Sequence, residues 1–526
     1  MHLPLSIMPN MKSITTTYPV SVYTADQVRT IDRLAIKKLG VTGYELMCRA
    51  GEASFSLLQN CWPDVQTIAV FCGQGNNSGD AYVLAHLALQ AGIKVKVIAV
   101  TPGEQLQNEA AIAWDQYTKN GGKVEVFSAD CIITEDVIVD GLLGTGLTRQ
   151  LQGDMLSAVQ LINTSEVPVL ALDMPTGLDA DTGMLHGDCV KADITLTFVG
   201  LKQGLFLGVG PNYVGKLEFS DLSIHGKDDN NDKLFDQIQP QICRLTPRDL
   251  DICLKPRAQL AHKGTNGSLL LVGGAPGMAG AIRLAAEAAL RSGAGIVRVA
   301  THPDSVSSVM AGRAEIMCHG VIDEEELQPL LGSAEAVILG PGLGQSVWAK
   351  NLWKCITKST LPVVLDADGL NLLSAENKIK PLDRGNWILT PHPGEAAKLL
   401  CTDLDSVQRD RLGAVKELAQ TFSSVAVLKG GCSLVAGEDI FVRLCDRGNP
   451  GMATPGMGDV LAGIIGGFLV QVGNLGLATR AAVFVHAVCG DIAALDGERG
   501  LLAGDIIRHI PLFTNPPFVQ YKLLSD

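Results

Sequence analysis

A chain of 526 residues exceeds one ordinary hydrophobic core and accommodates two large α/β domains as readily as three or four smaller ones. With 47% apolar residues, 57 glycines and 18% charged residues, it is a globular chain rich in buried strands and tight turns, not a disordered one. A net charge of -13 argues against a general nucleic-acid backbone binder, while leaving room for a local anion site.

The 13 cysteines form no CxxC pair and no zinc spacing, which predicts thiols in a reducing cytoplasm. The opening MHLPLSIMPNMKSITTTYPV lacks a lysine-led cluster ahead of an apolar core, so a signal peptide is not expected. No uninterrupted apolar run of about 18 residues stands out, so no membrane span is expected. The longest apolar stretch, VLAGIIGGFLV, is punctuated by glycine and reads as a buried helix.

From residue 23 to about 225 strands and helices alternate. TADQVRTIDRLAIKKLG and GYELMCRAGEASFSLLQNC have helical periodicity, followed by the strand TIAVFC. DAYVLAHLALQAG reads as a helix closed by glycine, and KVKVIAV, VIVDGLLG, VPVLALDMP and ADITLTFVG continue the strand series. Such alternation predicts parallel βαβ units with helices on both faces of a sheet. Residues 225–237, HGKDDNNDKLFDQ, are polar and poor in apolar anchors and read as a linker. The pattern then restarts with SLLLVGG, GAIRLAAEAALRSGAG, IVRVAT, AVILGPGLG, PVVLDADGL, WILTPHPGE, VAVLKGG and a long apolar helix beginning near Gly458–Asp459. The fold class is therefore α/β in both halves, with the boundary at 224/238.

Ligands of open parallel sheets bind beyond the carboxyl ends of strands. After TIAVFC comes GQGNNSGD, Gly73 to Asp80, whose amides and Asn carbonyls suit an anion or a polar ligand better than a plain turn. Asp140 with Gly144–Gln150, and Asp173 with Thr176, follow two further strands. Asn77, Asp140 and Thr176 form an oxygen-rich set suited to a hard cation, although each alone reads as a cap or turn residue.

GQGNNSGD, VDGLLGTGL and DMPTGLDADTG resemble the motifs of the NAD(P)H-hydrate epimerase domain over most of residues 20–225. The resemblance implies a Rossmann-like three-layer domain, residues 1–224, that interconverts the R and S hydrates of NADH and NADPH. It implies potassium on Asn77, Asp140 and Thr176. It implies substrate contacts from Asn76, Asn77, Ser78, Gly79, Asp80, Gly144, Thr145, Gly146, Leu147, Thr148, Arg149, Gln150 and Asp173, with Asp173 transferring the proton. Ser78 and Ala81 stand where the family has glycine; both are small.

In the second half, NPGMATPGMGDVLAGIIGG sets a glycine-rich turn and one acid, Asp459, at a helix start. Unpaired amides there hold an anion, and an acid beside them can accept a hydroxyl proton as phosphate is transferred. An acidic N-cap is the plainer reading. Companions weaken it: Lys429–Ser433, His392 and Glu395, Asp366 and Asp368, Gly342 and Gly344, and Ala281 all follow strands. There is no GxxxxGK[ST], so the site is not a P-loop.

GAPGMAGA, AGAGIVRV, GPGLG, DADGLN, TPHPGE and NPGMATPGMGDVLAGIIGG resemble the ribokinase-like superfamily, and within it the ADP- or ATP-dependent NAD(P)H-hydrate dehydratase. This covers about residues 245–515, in a domain spanning 238–526. It implies that Ala281, Gly344, His392 and Asp459 contact the hydrated nucleotide. It implies that Lys429, Gly430, Gly431, Cys432, Ser433 and Gly458 contact ADP, that Asp459 is the general base, and that Mg2+ bridges phosphates with help from Asp366, Asp368 or Glu395. Pro455-Gly456 replaces the family's Gly-Gly, removing one N–H from the turn.

The combined expectation is a cytoplasmic, homo-oligomeric, bifunctional repair enzyme acting on the hydrates NADHX and NADPHX with ADP, and binding neither nucleic acid nor membrane. The alternatives are a vitamin or sugar kinase carrying an accessory nucleotide-sensing domain, or a scaffold module of the kind found in RNA-processing proteins beside a kinase-like enzyme.

Overall fold

The computed structural model describes residues 18–224, 238–377, 385–437 and 439–515. The expected linker, residues 225–237, lies outside them. The chain forms two compact units, one spanning Ser21–Ile242 and one from Cys243 onward that also includes the segment ending at Val20. In that second unit Arg244 ties the segment down. Its N–H donates to the Val20 carbonyl at 2.7 Å, and its guanidinium donates to the Tyr18 and Pro19 carbonyls at 3.3 Å each.

The first unit contains strands β1 (Ser21–Tyr23), β2 (Thr67–Cys72), β3 (Lys94–Ala99), β4 (Val124–Val126), β5 (Val137–Gly141), β6 (Val169–Leu172), β7 (Ile194–Phe198), β8 (Leu201–Lys202) and β9 (Lys216–Ser220). Seven of them form a parallel sheet in the order β4-β3-β2-β5-β6-β7-β9. The β-branched runs seen in sequence are buried on both faces, as the central strands of a helix-covered sheet must be. Strand order reverses between β2 and β5, with Cys72 paired to Gly141 at their carboxyl ends. A reversal opens a crevice above the strand ends, because the two crossovers leave in opposite directions. The turns after β2 and β5 cross tightly there: a Cβ on Gly73 would stand 2.4 Å from the Leu142 carbonyl oxygen.

The helix after β2 begins at Asn76, four residues earlier than the expected DAYV start. Gly75, at φ 102°, turns the chain into it, a conformation that glycine adopts without strain. Asn76 to Asp80 are thus the first helical turn and not a loop ahead of it.

The second unit continues with β10 (Ile242–Arg244), β11 (Ser268–Val272), β12 (Ile296–Thr301), β13 (Met317–Gly320), β14 (Ala336–Leu339), β15 (Val363–Leu365), β16 (Trp387–Leu389), β17 (Val425–Leu428), β18 (Ser433–Ala436) and β19 (Val442–Cys445). The order β13-β12-β11-β14-β15-β16-β17 is parallel, and β18 and β19 extend it in antiparallel fashion. Here the reversal lies between β11 and β14, and the glycine turns, Asp366, His392 and Lys429 all leave carboxyl ends on this sheet.

The apolar helix Met457–Val472 fills the core, buried at every position from Val460 to Val470. Its glycines answer to close packing. A Cβ on Gly463 would stand 2.2 Å from the Ala285 carbonyl oxygen on the helix Ala279–Arg291, and one on Gly466 would stand 2.6 Å from Ile338 Cδ1 on β14. The neighbouring helix Leu475–Ala493 is long and apolar enough to cross a membrane by composition. Its Ala482, Phe484, Val485 and Val488 lie instead in the second unit's hydrophobic core, so it is a core helix.

Gly463→Ala should lower unfolding stability by about 1–3 kcal/mol, the usual cost of overpacking, whereas Gly504→Ala, whose Cβ would meet open space in the helix Ala503–His509, should be neutral or mildly stabilising. Urea unfolding of the two variants checks the contrast.

Candidate active sites

A cavity of about 1000 Å³ opens in the first unit over the β2/β5 crevice. Asn76, Asn77, Asp80, Gly144, Thr145, Gly146, Leu147, Thr148, Arg149, Gln150 and Asp173 all line it. Ser78 and Gly79 do not reach it. Ser78 is fully buried and its hydroxyl donates to the Gly141 carbonyl at 3.1 Å, while a Cβ on Gly79 would meet the Met47 side chain at 2.3 Å. These two small residues let the helix close on its neighbours, and the expectation of ligand contact from them is corrected to that role.

Asp173 follows β6 at φ 64°, in the left-handed region. The Met174 N–H donates to the Leu172 carbonyl at 2.7 Å across it, a three-residue turn of the strained hand. A second such turn, at Val199 (φ 67°), carries the chain from β7 into β8. The two turns bring Asp173 to Lys202. The Lys202 ammonium, 1% exposed, donates to Asp173 Oδ1, to Thr197 Oγ1 at 2.9 Å and to the Phe198 carbonyl at 2.8 Å. The Thr145 N–H donates to Asp173 Oδ2 at 3.3 Å, tying the Gly144–Gln150 loop to the same carboxylate. Gly144 keeps this spot open: a Cβ there would stand 2.8 Å from Asp173 Oδ2 and 3.5 Å from Asn77 Cγ.

Asp140 is completely buried, and burial pushes its carboxyl up to about 6 against the hydrogen bonds it accepts. Those come from the Thr176 N–H and hydroxyl, at 2.8 Å each, and from the Leu142 N–H at 3.2 Å. Asn77 is 7% exposed, and among the described residues neither Oδ1 nor Nδ2 of its amide has a partner. An unpaired buried amide oxygen is costly, and a cation is one way to satisfy it. Burial also pushes Asp80 well above the usual carboxylate range, with Asp173 and Asp32 adding to the effect.

In the second unit the helix Met457–Val472 starts two residues before Asp459, after Gly456 at φ 90°. The Val460 N–H makes the first backbone bond, to the Gly456 carbonyl at 3.0 Å. The amides of Met457, Gly458 and Asp459 precede it, where a helix leaves its N–H groups without an internal acceptor. No side chain caps this end. Pro455 lies ahead of the N-cap, so its missing N–H takes nothing from the set.

Lys429 leaves β17 and reaches this helix start. Its ammonium donates to Asp366 Oδ1 at 2.8 Å and lies 3.9 Å from Glu395 Oε2. A Cβ on Gly458 would stand 3.2 Å from Lys429 Nζ and 3.6 Å from Asp366 Oδ2, so the bare backbone leaves room beside this pair. Burial works against the Lys429 charge, but Asp366 and Glu395 outweigh it and raise the ammonium above its usual range. Asp459 stands in the first turn, its carboxyl pushed up to about 7 by burial and by Asp366, with Lys429 opposing. Burial likewise raises Glu395.

The remaining candidates are fixed by short bonds. The Thr390 hydroxyl donates to Asp366 Oδ1 at 2.7 Å. Ala367, at φ 47°, turns the chain between two acids so that Asp368 Oδ2 accepts from the Gly344 N–H at 2.8 Å. Gly342 is where Ala281 is met: a Cβ on Gly342 would lie 3.3 Å from Ala281 Cβ. His392 caps the helix Pro393–Leu399 through Nδ1, which accepts from the Gly394 N–H at 3.0 Å, and the His392 N–H donates to Glu395 Oε2 at 2.8 Å. The turn Gly430, Gly431, Cys432, Ser433 is braced from below by Arg411, whose guanidinium donates to the Cys432 and Lys429 carbonyls at 3.0 and 3.3 Å.

Lys202, Arg411 and Thr390 escaped sequence reasoning. Lys202 has the one usable signal, a lysine closing the apolar run ITLTFVGLK, where a charge needs a buried partner.

Residues 269–512 match the NAD(P)H-hydrate dehydratase family, and residues 43–204 match the family described as the YjeF-related protein N-terminus. The bifunctional NAD(P)H-hydrate repair enzyme Nnr of Coxiella burnetii is 43% identical over 94% of this chain and 99% of its own length. The Escherichia coli enzyme of the same name is 39% identical, covering 96% of each chain. Among solved structures, the ADP/ATP-dependent NAD(P)H-hydrate dehydratase of Bacillus subtilis, co-crystallized with ATP and Mg2+, is 27% identical over 54% of this chain and 98% of its own, with a TM-score of 0.46.

Asp459 makes a stability statement that can be tested. Its carboxyl binds a proton more tightly in the folded chain, near pH 7, than in the unfolded one, near about 4. Its contribution is therefore lost as pH rises through that window. Asp459→Asn should melt at a higher temperature than wild type at pH 8, with the difference shrinking toward pH 4, as read by calorimetry.

Proposed function

The chain belongs to the family of bifunctional NAD(P)H-hydrate repair enzymes, and on that premise we propose how its two sites divide the work. The first unit epimerises the R and S hydrates of NADH and NADPH. The second dehydrates the S form at the expense of a nucleotide phosphate. A relative 43% identical over 99% of its length sets aside the vitamin- or sugar-kinase alternative.

The observation that carries the second activity is an aspartate at an uncapped helix start beside a lysine that is paired to a buried aspartate. In this reading Asp459 takes the proton from the hydroxyl of the hydrated ring as that oxygen bonds to the terminal phosphorus of ADP and AMP leaves. The amides of Met457, Gly458 and Asp459, with the Lys429 ammonium, carry the phosphate charge. Phosphate then departs from the ring carbon, a proton leaves the neighbouring carbon, and the double bond returns. Ala281, Gly344 and His392 contact the hydrated nucleotide, and the braced turn Lys429–Ser433 contacts ADP. ATP serves as an alternative phosphate source.

Asp366, Asp368 and Glu395 already accept from Lys429, Gly344 and His392. That supports a magnesium ion carried in on the nucleotide's phosphates, the common habit of this ion. No cluster of three or more His, Cys, Asp or Glu suited to a metal occurs among the described residues. When bound, magnesium neutralises phosphate charge.

In the first unit the Asp173–Lys202 pair offers a proton acceptor and a donor side by side at the cavity. The unpartnered Asn77 oxygen, the buried Asp140 carboxylate and the Thr176 hydroxyl fit a potassium ion, which takes several oxygens and no thiol or imidazole. When bound it supplies a fixed positive charge. The enzyme works in the cytoplasm as a homo-oligomer, on small molecules alone.

Incubation with mixed NADH hydrates and ADP, or ATP in parallel, should restore NADH absorbance; no recovery with either nucleotide refutes the assignment. Asp459→Asn should abolish recovery yet leave epimer exchange intact. Asp173→Asn should slow exchange about 100-fold or more while sparing dehydration of the S form. Asn77→Ala should remove the response of epimerisation to potassium, and an unchanged response excludes Asn77 as a ligand.

A further inference from the structure

The first unit's cavity has a wall that the sequence motifs do not supply. The helix Ala25–Leu39 precedes the matched regions and lines the cavity with Val28, Arg29, Asp32 and Ile36, a spacing that lies on one helical face. The helix is pinned at its start. The Ala25 N–H donates to Asp181 Oδ1 at 2.7 Å, and β1, which leads into it, lies parallel to β8 with Tyr23 opposite Lys202.

Asp32 is the polar group whose presence there needs an account. No described residue gives its carboxylate a hydrogen bond or an ion pair, unlike Asp173, which Lys202 and Thr145 hold. Burial pushes its carboxyl up to about 6, with Lys202 opposing and Asp173 reinforcing the shift. Asp80 also lines the cavity, but it shares a helical turn with Asn77. Asp32 stands on a separate element from the cation set.

We propose that Asp32 is the second proton-transfer group of the epimerase site, acting on the face of the hydrated ring that Asp173 does not serve. The proposal rests on the epimerase reading above. Water adds to a dihydropyridine with its oxygen on the carbon bonded to the ring nitrogen, since the nitrogen lone pair stabilises positive charge there. The R and S forms carry that hydroxyl on opposite faces of the ring. Inversion therefore needs one group to protonate the departing hydroxyl and another to deprotonate the water that arrives opposite. In one direction the Asp32 carboxyl gives its proton to the hydroxyl. The C–O bond breaks, the nitrogen lone pair forms a C=N bond and water departs. Water then bonds to the other face of that carbon, the nitrogen recovers its lone pair, and Asp173 takes the proton. Oxygen and hydrogen balance: one proton has moved from Asp32 to Asp173. The reverse epimerisation, or exchange with solvent, returns it.

The test uses the full-length protein and the purified R hydrate of NADH without nucleotide, with formation of the S epimer followed chromatographically. Asp32→Asn should lower kcat by about 100-fold or more with KM within about threefold, and Asp32→Glu should recover to within about tenfold of wild type. Dehydration of the S epimer with ADP, measured on the same samples, should be unchanged. A kcat for Asp32→Asn within about threefold of wild type overturns the proposal. So does a loss confined to KM, a loss that glutamate does not relieve, or a parallel loss of dehydratase that marks Asp32 as structural. Absence of epimerisation by the wild type would be a different result, removing the epimerase reading itself.

Discussion

A lysine ammonium paired with an aspartate at the carboxyl end of a parallel sheet is the interaction on which each site is built. In the first unit Lys202 bonds Asp173 and Thr197; in the second Lys429 bonds Asp366, which also accepts from Thr390. Removing Asp173 from the first pair strands the sealed Lys202 charge in low dielectric, at a cost of about 3–5 kcal/mol. The pair is thus a constraint on everything around it. The two strained turns at Asp173 and Val199 persist because the ion pair and the strand ends over-determine them. Gly458 lies directly against the Lys429–Asp366 pair, where a Cβ would stand 3.2 Å from Lys429 Nζ.

The same device serves different chemistry in the two units. In the first, the lysine is nearly sealed and its aspartate faces a large cavity beside an unsatisfied asparagine amide. In the second, the aspartate is turned toward lysine and threonine, and the ammonium faces an open helix end where a different acid, Asp459, remains free. One arrangement suits proton traffic at a ring carbon. The other suits an anion that arrives, reacts and departs.

Much of this was legible in the chain. Glycine turns after β-branched strands located both crevices, because backbone that approaches a ligand or a crossing turn cannot carry a side chain. Asn77, Asp140 and Thr176 stood out in the sequence as polar residues at or soon after strand ends, and Asp459 as a lone acid at a helix start. What sequence could not give was direction. Ser78 and Gly79 sit inside a ligand-type motif yet point into packing, since the helix starts at Asn76 and rotates them away. Lys202 hides at the end of a strand, and its importance depends on Thr197 and Asp173, the latter 29 residues away. Arg411 braces a turn 21 residues further on, which no local pattern reveals. Pro455 removes one N–H from the turn, but it stands ahead of the N-cap Gly456 and leaves the amides of the helix start intact.

The position of the helix Met457–Val472 has a consequence for how the protein is made. Synthesis proceeds from the N-terminus, and domains fold as units as they emerge. The first unit closes once Ile242 has emerged, whereas the centre of the second is filled by helices that the ribosome delivers near the end of the chain. Until then the strands from β11 to β17 have emerged with one apolar face covered only in part, by the helix Ala279–Arg291. From the closing of the first unit until the last helices emerge the nascent polypeptide carries a finished first unit and an unfinished second one, and that interval is the period in which a holdase chaperone has most to protect.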